Sequence, residues 1–168
     1  MPVDVAARVL ENRPLSRDYN VLTLDAPAIA AAAAPGQFVM VKPGTGLDPL
    51  LRRPFSLFEI LRGADGAPRG ISILSKRIGP STRLIYDARE GHHVDCLGPL
   101  GRPFTAVDPP SEAWLVAGGV GLAPFATLAQ ALRARGVGTT LFYGARTGGE
   151  LFYLDFFRTL GVELVLRV

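Results

Sequence analysis

The feature that most narrows the fold is a change of pattern near residue 108. Up to about residue 104 the chain is a series of short alternating runs cut by Gly and Pro: "RVLENRPLS", "YNVLTLDAP", "PGQFVMVKPG", "LLRRPFSLFEI", "GISILSK" and "HHVDCLGPLG". Such spacing predicts an antiparallel barrel or sandwich. A helix is expected from Ser81 to about Arg89, and the alanine run Ala30 to Ala34 suggests a helical turn. After "DPPSE" (Asp108 to Glu112) the order becomes strand, helix, strand, helix, strand. "WLVAGG" reads as a buried strand, and Phe125, Leu128, Ala129 and Leu132 form one helix face that stops at Gly136. "TTLFYGA" is a second strand and "ELFYLDFFRTL" a second helix ending at Gly161. Val162, Leu164, Leu166 and Val168 alternate as a third strand. The expected class is β followed by α/β, with an antiparallel barrel over 1–106 and a three-strand parallel unit over 107–168. A complete doubly wound domain has about five or six strands.

Composition agrees with a globular chain. Of 168 residues, 48% are apolar and 20% charged, enough to bury a core without staples. The one cysteine, Cys96, excludes an internal disulfide framework and fits a reducing, cytoplasmic setting. No apolar run approaches the roughly twenty residues of a membrane span, and the N-terminus lacks the pattern of a leader. The net charge is +3 and the basic residues are scattered, which argues against nucleic acid. All but two of the eighteen basic residues are arginine, a side chain suited to phosphate, so small anionic ligands remain as partners.

Three short motifs carry chemistry. In "RRPFS", strand alternation puts Arg53 and Phe55 on one face, while Pro54 between them implies an edge or a bulge. A guanidinium, a ring and the Ser56 hydroxyl within four residues suit a flavin dinucleotide: Arg53 on the pyrophosphate, Phe55 against the flavin, and Ser56 by the reactive N5 in a catalytic role. The alternative is an arginine pair on a barrel surface. In "GPST", Ser81 or Thr82 is placed to cap a helix and leave amides for a phosphate, or simply to cap it. "VAGGVGLAP" between strand and helix gives G-x-G-x-x-P: Gly119 and Gly121 let backbone approach a pyrophosphate, and Pro124 fits a first turn. It departs from the usual dinucleotide fingerprint, because no Asp or Glu occurs between Ala113 and Gly149 to hold a ribose. A tight structural turn is the alternative. His92, His93, Asp95 and Cys96 alternate in direction along a strand, so no metal site is expected. Neither Ser75 nor Ser111 has a triad partner.

Taken in order, "PGQF", "RRPFS", "GPST", "LGPLGRPF", "AGGVGLAP" and "YGARTGGELFYLDFF" make the chain resemble the ferredoxin-NADP reductase superfamily. Within it, the chain is most similar to the electron-transfer subunits of NAD-dependent dihydroorotate dehydrogenases. The resemblance implies a FAD-binding barrel followed by a truncated nicotinamide-binding α/β domain. It implies FAD contacts from Arg53, Pro54, Phe55 and Ser56, a ribityl side lined by Leu74, Ser75 and Lys76, and phosphate held by Gly79, Ser81 and Thr82. Gly118, Gly119 and Gly121, with Arg146, would bind NAD(H). The implied activity is hydride transfer from NADH to FAD, with electrons passed to an FMN-containing dihydroorotate dehydrogenase subunit in pyrimidine biosynthesis. Full-length family members add a cysteine-rich segment holding a [2Fe-2S] cluster, and none of those cysteines occurs here. His92-His93 and Cys96 also depart from the family's usual acidic and aliphatic residues. Two rival expectations are a stand-alone NAD(P)H:flavin or other acceptor reductase, favoured by the missing cysteines, and a non-catalytic FAD-binding chain.

Overall fold

The computed structural model describes residues 1–44, 46, 48–105 and 112–168. The expected domain boundary between 106 and 107, most of the "DPPSE" stretch and Ser111 lie outside these residues.

Six strands, β1 (Val3–Pro14), β2 (Tyr19–Asp25), β3 (Phe38–Pro43), β4 (Arg53–Arg62), β5 (Pro68–Lys76) and β6 (His93–Leu100), close into an antiparallel barrel in the order β1-β2-β5-β4-β3-β6. Alternate residues turn inward: Leu22 and Leu24, Val39 and Val41, Ile71 and Ile73, Val94 and Cys96 share one buried cluster. Helices α1 (Pro27–Ala32) and α2 (Pro80–Asp87) add Ile29 and Ile85 to it. The helical turn expected at Ala30 to Ala34 starts earlier, because Pro27 supplies a preset first-turn φ. Neighbouring strands approach so closely at Gly70 that a Cβ there would lie 2.2 Å from the Leu24 carbonyl oxygen. Burial pushes the Cys96 thiol up to about 12, so this side chain is a neutral core filler.

The second unit consists of β7 (Glu112–Gly118), α3 (Phe125–Ala134), β8 (Gly138–Gly144), α4 (Leu154–Thr159) and β9 (Glu163–Arg167). The three strands are parallel in the order β7-β8-β9. Leu115 and Ala117 of β7 and Leu141 and Tyr143 of β8 pack on Ala126, Ala129 and Leu132 of α3 and Phe157 of α4. The opposite face carries Trp114 and Val116, 70% and 73% exposed. No helix among the described residues is long and apolar enough to cross a membrane.

One expected helix is much shorter than the sequence suggested. "ELFYLDFFRTL" yields α4 only from Leu154, because Glu150 ends a 3-10 turn and Tyr153 adopts a left-handed φ of +60°. The residues between serve the junction with the barrel instead. Phe152 is buried against the Tyr19 ring at 5.0 Å, and Tyr153 meets Phe58 edge-on at 4.6 Å. The Arg13 guanidinium lies 5.2 Å over the Tyr153 ring and donates to its hydroxyl. Val21, Phe58 and Leu74 of the barrel share one buried cluster with Leu115, Leu122 and Phe157 of the parallel unit. The two units are thereby joined by a common core, which fixes the clefts between them.

Candidate functional site

The barrel wall parts at one place. β4 and β5 pair from Leu57 and Ile73 onward, whereas Arg53 to Ser56 pair only with β3 and Leu74 to Lys76 only with β2. The facing edges of these two segments are therefore free of ladder bonds. This is the local edge that Pro54 requires, since a proline has no amide to donate. Between the segments opens a cleft of about 730 Å³.

Arg53, Pro54, Phe55, Ser56, Leu74, Ser75, Lys76, Gly79, Ser81 and Thr82 all line that cleft. Arg53 is exposed and donates to the Arg52 carbonyl at 3.3 Å. Arg52 turns away to pair with Asp4 at 2.8 Å, which separates the two arginines of "RRPFS" into a structural and a cleft-facing one. Ser75 is buried and its hydroxyl oxygen has no hydrogen-bond partner. An unpaired hydroxyl in a protein interior is costly, so its position on a cleft wall points to an external partner.

At α2 the geometry differs from the sequence expectation. The cap residue is Gly79, and neither Ser81 nor Thr82 holds that position. Thr82 reaches back one turn, its hydroxyl accepting from the amides of Ile78 and Gly79, each at 2.9 Å. Pro80 lacks an amide proton, and the Ser81 and Thr82 amides take no hydrogen bond among the described residues. These two N–H groups stand free at a helix start that lines the cleft, with the partial positive charge of a helix N-terminus behind them. The other end of α2 is anchored: Asn12 Nδ2 donates to the carbonyls of Ile85, Tyr86 and Ala88 at 3.1, 2.9 and 2.7 Å.

A second cleft, of about 540 Å³, lies at the carboxyl ends of the parallel strands. Gly118, Gly119 and Arg146 line it, and so do Tyr19, Glu150 and Arg167. Gly119 has φ +52°, a backbone conformation that favours glycine, and a Cβ on it would lie a tight 3.2 Å from the Tyr19 hydroxyl. Gly121 lines neither cleft. It sits in a 3-10 turn, Gly119–Leu122, inserted before α3, and Pro124 is the cap residue of α3 rather than its first-turn residue. Lys76 and Val120 line both clefts, and the Lys76 ammonium sits 4.6 Å over the Tyr19 ring. The two spaces thus share one cation and one small apolar side chain in their walls.

Sequence reasoning missed the apolar rim of the first cleft. Leu50, Leu51 and Ile78 are 65%, 62% and 77% exposed and all face it. The exposed dipeptide before "RRPFS" was the available signal. His93 is exposed, Cys96 lies inside the barrel, and His92 Nδ1 accepts from the Arg89 amide at 3.3 Å, so these side chains do not converge.

No protein-family model matches the sequence. Curated relatives do. The chain is 32% identical to the dihydroorotate dehydrogenase B (NAD(+)) electron transfer subunit of Fusobacterium nucleatum, over 95% of this chain and 61% of that protein. It is 39% identical to the same subunit of Geobacillus kaustophilus, over 91% of this chain and 59% of that protein. The chain therefore spans about 60% of the curated relatives it matches. Among solved structures, an Amycolatopsis cytochrome P450 reductase superposes with a TM-score of 0.81 at 27% identity, covering 98% of this chain and 51% of that one. An NADH-dependent reduced ferredoxin-NADP oxidoreductase gives 0.80 at 24% identity, over 96% of this chain and 56% of the other, a likeness of fold. Over the part it spans, the chain is similar in sequence to dihydroorotate dehydrogenase B electron transfer subunits, and its barrel and parallel sheet share the fold of the two solved oxidoreductases.

Proposed function

We propose that this chain is a flavin-dependent electron-transfer protein that binds FAD in the barrel cleft and NADH in the second cleft, and passes electrons to an FMN-containing dihydroorotate dehydrogenase subunit. The observation that carries this reading is the parted wall between β4 and β5, with an unpaired buried hydroxyl on one side and free helix amides at its end.

These residues fit FAD. The Ser75 hydroxyl gains a partner, the Ser81 and Thr82 amides suit the pyrophosphate, and Arg53 adds a charge-assisted contact to it. Leu74 and Lys76 line the ribityl side. The exposed Leu50, Leu51 and Ile78 offer apolar surface that a bound ring system would remove from water. Phe55 and Ser56 orient the reactive edge. When bound, FAD supplies the ability to take a hydride and release electrons singly. Gly118 and Gly119 let backbone approach the nicotinamide dinucleotide's pyrophosphate, and Arg146 adds positive charge. Lys76, shared by both clefts, stabilises negative charge arriving on the flavin side.

A stand-alone reductase is the second reading. Co-purification with a dehydrogenase subunit separates the two.

The test is the anaerobic visible spectrum of the chain supplied with FAD, before and after NADH. Flavin absorbance that bleaches within catalytic time is expected. Bound flavin that stays oxidised refutes the nicotinamide half of the reading, and no bound flavin refutes both halves.

A further inference from the structure

The inward-facing stripes of β2 and β5 end in two polar side chains that the core leaves unpaired. Leu24 faces Ile71 and Leu22 faces Ile73 across the ladder, all four in the barrel cluster, and the next inward pair is Asn20 with Ser75. Both are buried, at 0% and 1% exposure, and neither Asn20 Oδ1 nor Ser75 Oγ has a hydrogen-bond partner. Ser75 lines the first cleft and Asn20 does not.

The direction of the Asn20 amide is fixed from the far end of α2. The carbonyls of Ile85, Tyr86 and Ala88 can only accept, so the side of Asn12 that meets them is its NH2 group. Asn12 Oδ1 is left to accept from Asn20 Nδ2, at 2.7 Å. In the barrel β2 lies between β1 and β5. With its NH2 group turned to Asn12 on β1, Asn20 turns its oxygen the other way, toward β5 and the facing Ser75. Directly opposed residues have Cβ atoms about 4.5–5.5 Å apart, so a change of χ1 rotamer brings the serine hydroxyl to that oxygen.

Resting on the FAD reading above, we propose that Asn20 is a positioning residue that sets the polarity of Ser75. In the loaded cleft the Ser75 hydroxyl donates to Asn20 Oδ1 and offers its lone pairs to the ligand. A hydroxyl that accepts one hydrogen bond becomes a stronger donor in the next, so the arriving ligand draws the rotamer over and both orphans are satisfied together. The ligand group that Ser75 accepts from must carry a proton. A ribityl hydroxyl does, and a pyrophosphate oxygen at neutral pH does not. Ser75 therefore selects the polyol chain, and the anionic oxygens are left to the free Ser81 and Thr82 amides. That division fixes where along the cleft the dinucleotide sits.

The experiment is a double-mutant cycle on FAD affinity, read from flavin fluorescence as the apoprotein is titrated. It compares wild type, Ser75→Ala, Asn20→Leu and the double variant; Asn20→Ala stands in if Asn20→Leu fails to fold. Asn20→Asp is the conservative variant, because a buried carboxyl stays protonated and so donates to Asn12 and accepts from Ser75 as the amide does. Ser75→Ala is expected to weaken FAD binding about tenfold in wild type and in Asn20→Asp, and no more than about twofold in Asn20→Leu. The release of Asn12 by Asn20→Leu loosens α2 equally with either residue at position 75, so it cancels in the cycle. Denaturation of the same apoproteins should show the two changes adding, since the pair forms only with ligand. FAD analogues lacking one ribityl hydroxyl each probe the other side of the contact. One of them should bind wild type about tenfold more weakly than FAD and be weakened no further by Ser75→Ala. Additive effects on FAD affinity, equal coupling in apoprotein stability, or equal binding of all the analogues overturns the assignment while leaving a FAD site. Failure of wild type to bind FAD overturns the FAD reading as well.

Discussion

Replacing Asn12 by Ala tests whether α2 is held from behind, and the size of the effect can be worked from the contacts. Asn12 Nδ2 has two protons shared among the Ile85, Tyr86 and Ala88 carbonyls, and its Oδ1 accepts from Asn20 Nδ2 at 2.7 Å. Two hydrogen bonds lost at about 1 kcal/mol each give about 2 kcal/mol. Asn20 is fully buried and its own Oδ1 already lacks a partner, so stranding its amide adds about 1–3 kcal/mol. The freed carbonyls are only part-buried and recover some hydration, which brings the total to about 2–4 kcal/mol. For a chain of this size the melting temperature should fall by about 5–15 °C. Chemical denaturation of the wild type, Asn12→Ala, Asn20→Ala and the double variant provides the assay. The double loss should be smaller than the sum of the singles by at least about 1 kcal/mol, because removing Asn20 removes the stranded group. FAD affinity should fall with Asn12→Ala, since the helix end that meets the phosphate is no longer fixed at its other end. A loss under about 1 kcal/mol, or strict additivity, would refute the reasoning.

Two further predictions separate binding from folding and core chemistry from surface chemistry. Arg53→Ala and Ser75→Ala should each weaken FAD retention, about tenfold for the serine, while leaving apoprotein stability unchanged or, for Ser75→Ala, slightly raised because an unpaired buried hydroxyl is gone. Unchanged flavin occupancy in Arg53→Ala, or a Ser75→Ala apoprotein that melts well below wild type, would sink those assignments. For Cys96, burial outweighs the attraction of nearby Arg52 and raises the thiol from 9.0 to about 12. The unfolded chain then ionises near 9.0 and the folded one near 12, so this group's contribution is present below pH 9.0 and lost as pH rises toward 12. The wild type should lose up to about 1.4 kcal/mol more per pH unit than Cys96→Ala across that window. Identical slopes in denaturant titrations would refute the buried-thiol account.

The sequence disclosed what depends on neighbours along the chain and hid what depends on topology. Alternation in "YNVLTLD" and "GISILSK" made the barrel strands legible, because one face of each is buried. The helix spacing from Phe125 to Leu132 was legible for the same reason. The ten cleft residues named from sequence come from three short runs, Arg53 to Ser56, Leu74 to Lys76 and Gly79 to Thr82. Tyr19 could not be found that way: it reaches Gly119 only because β2 lies beside β5 in the closed barrel. Nor could Arg167 and Glu150, which line one cleft only because the parallel crossovers bring the strand ends side by side. The helix predicted from Glu150 failed because Phe152 and Tyr153 gain more by docking on Tyr19 and Phe58 than by continuing a regular backbone.

The place of Pro54 joins these two levels. A proline inside a closed barrel ought to break a ladder bond, and the sequence alone can say only that an edge or bulge is near. The structure resolves the conflict by ending the β4 to β5 pairing at Leu57 and Ile73, so the missing amide falls where no partner strand exists. The same parting frees the backbone of Phe55 and Ser56 on one wall and of Leu74 to Lys76 on the other, and leaves the Ser75 hydroxyl unpaired between them. Local strand weakness and ligand space are therefore one feature. Replacing Pro54 with a residue that restores the amide would not close the gap, because the two walls are held apart by their pairing with β3 and β2.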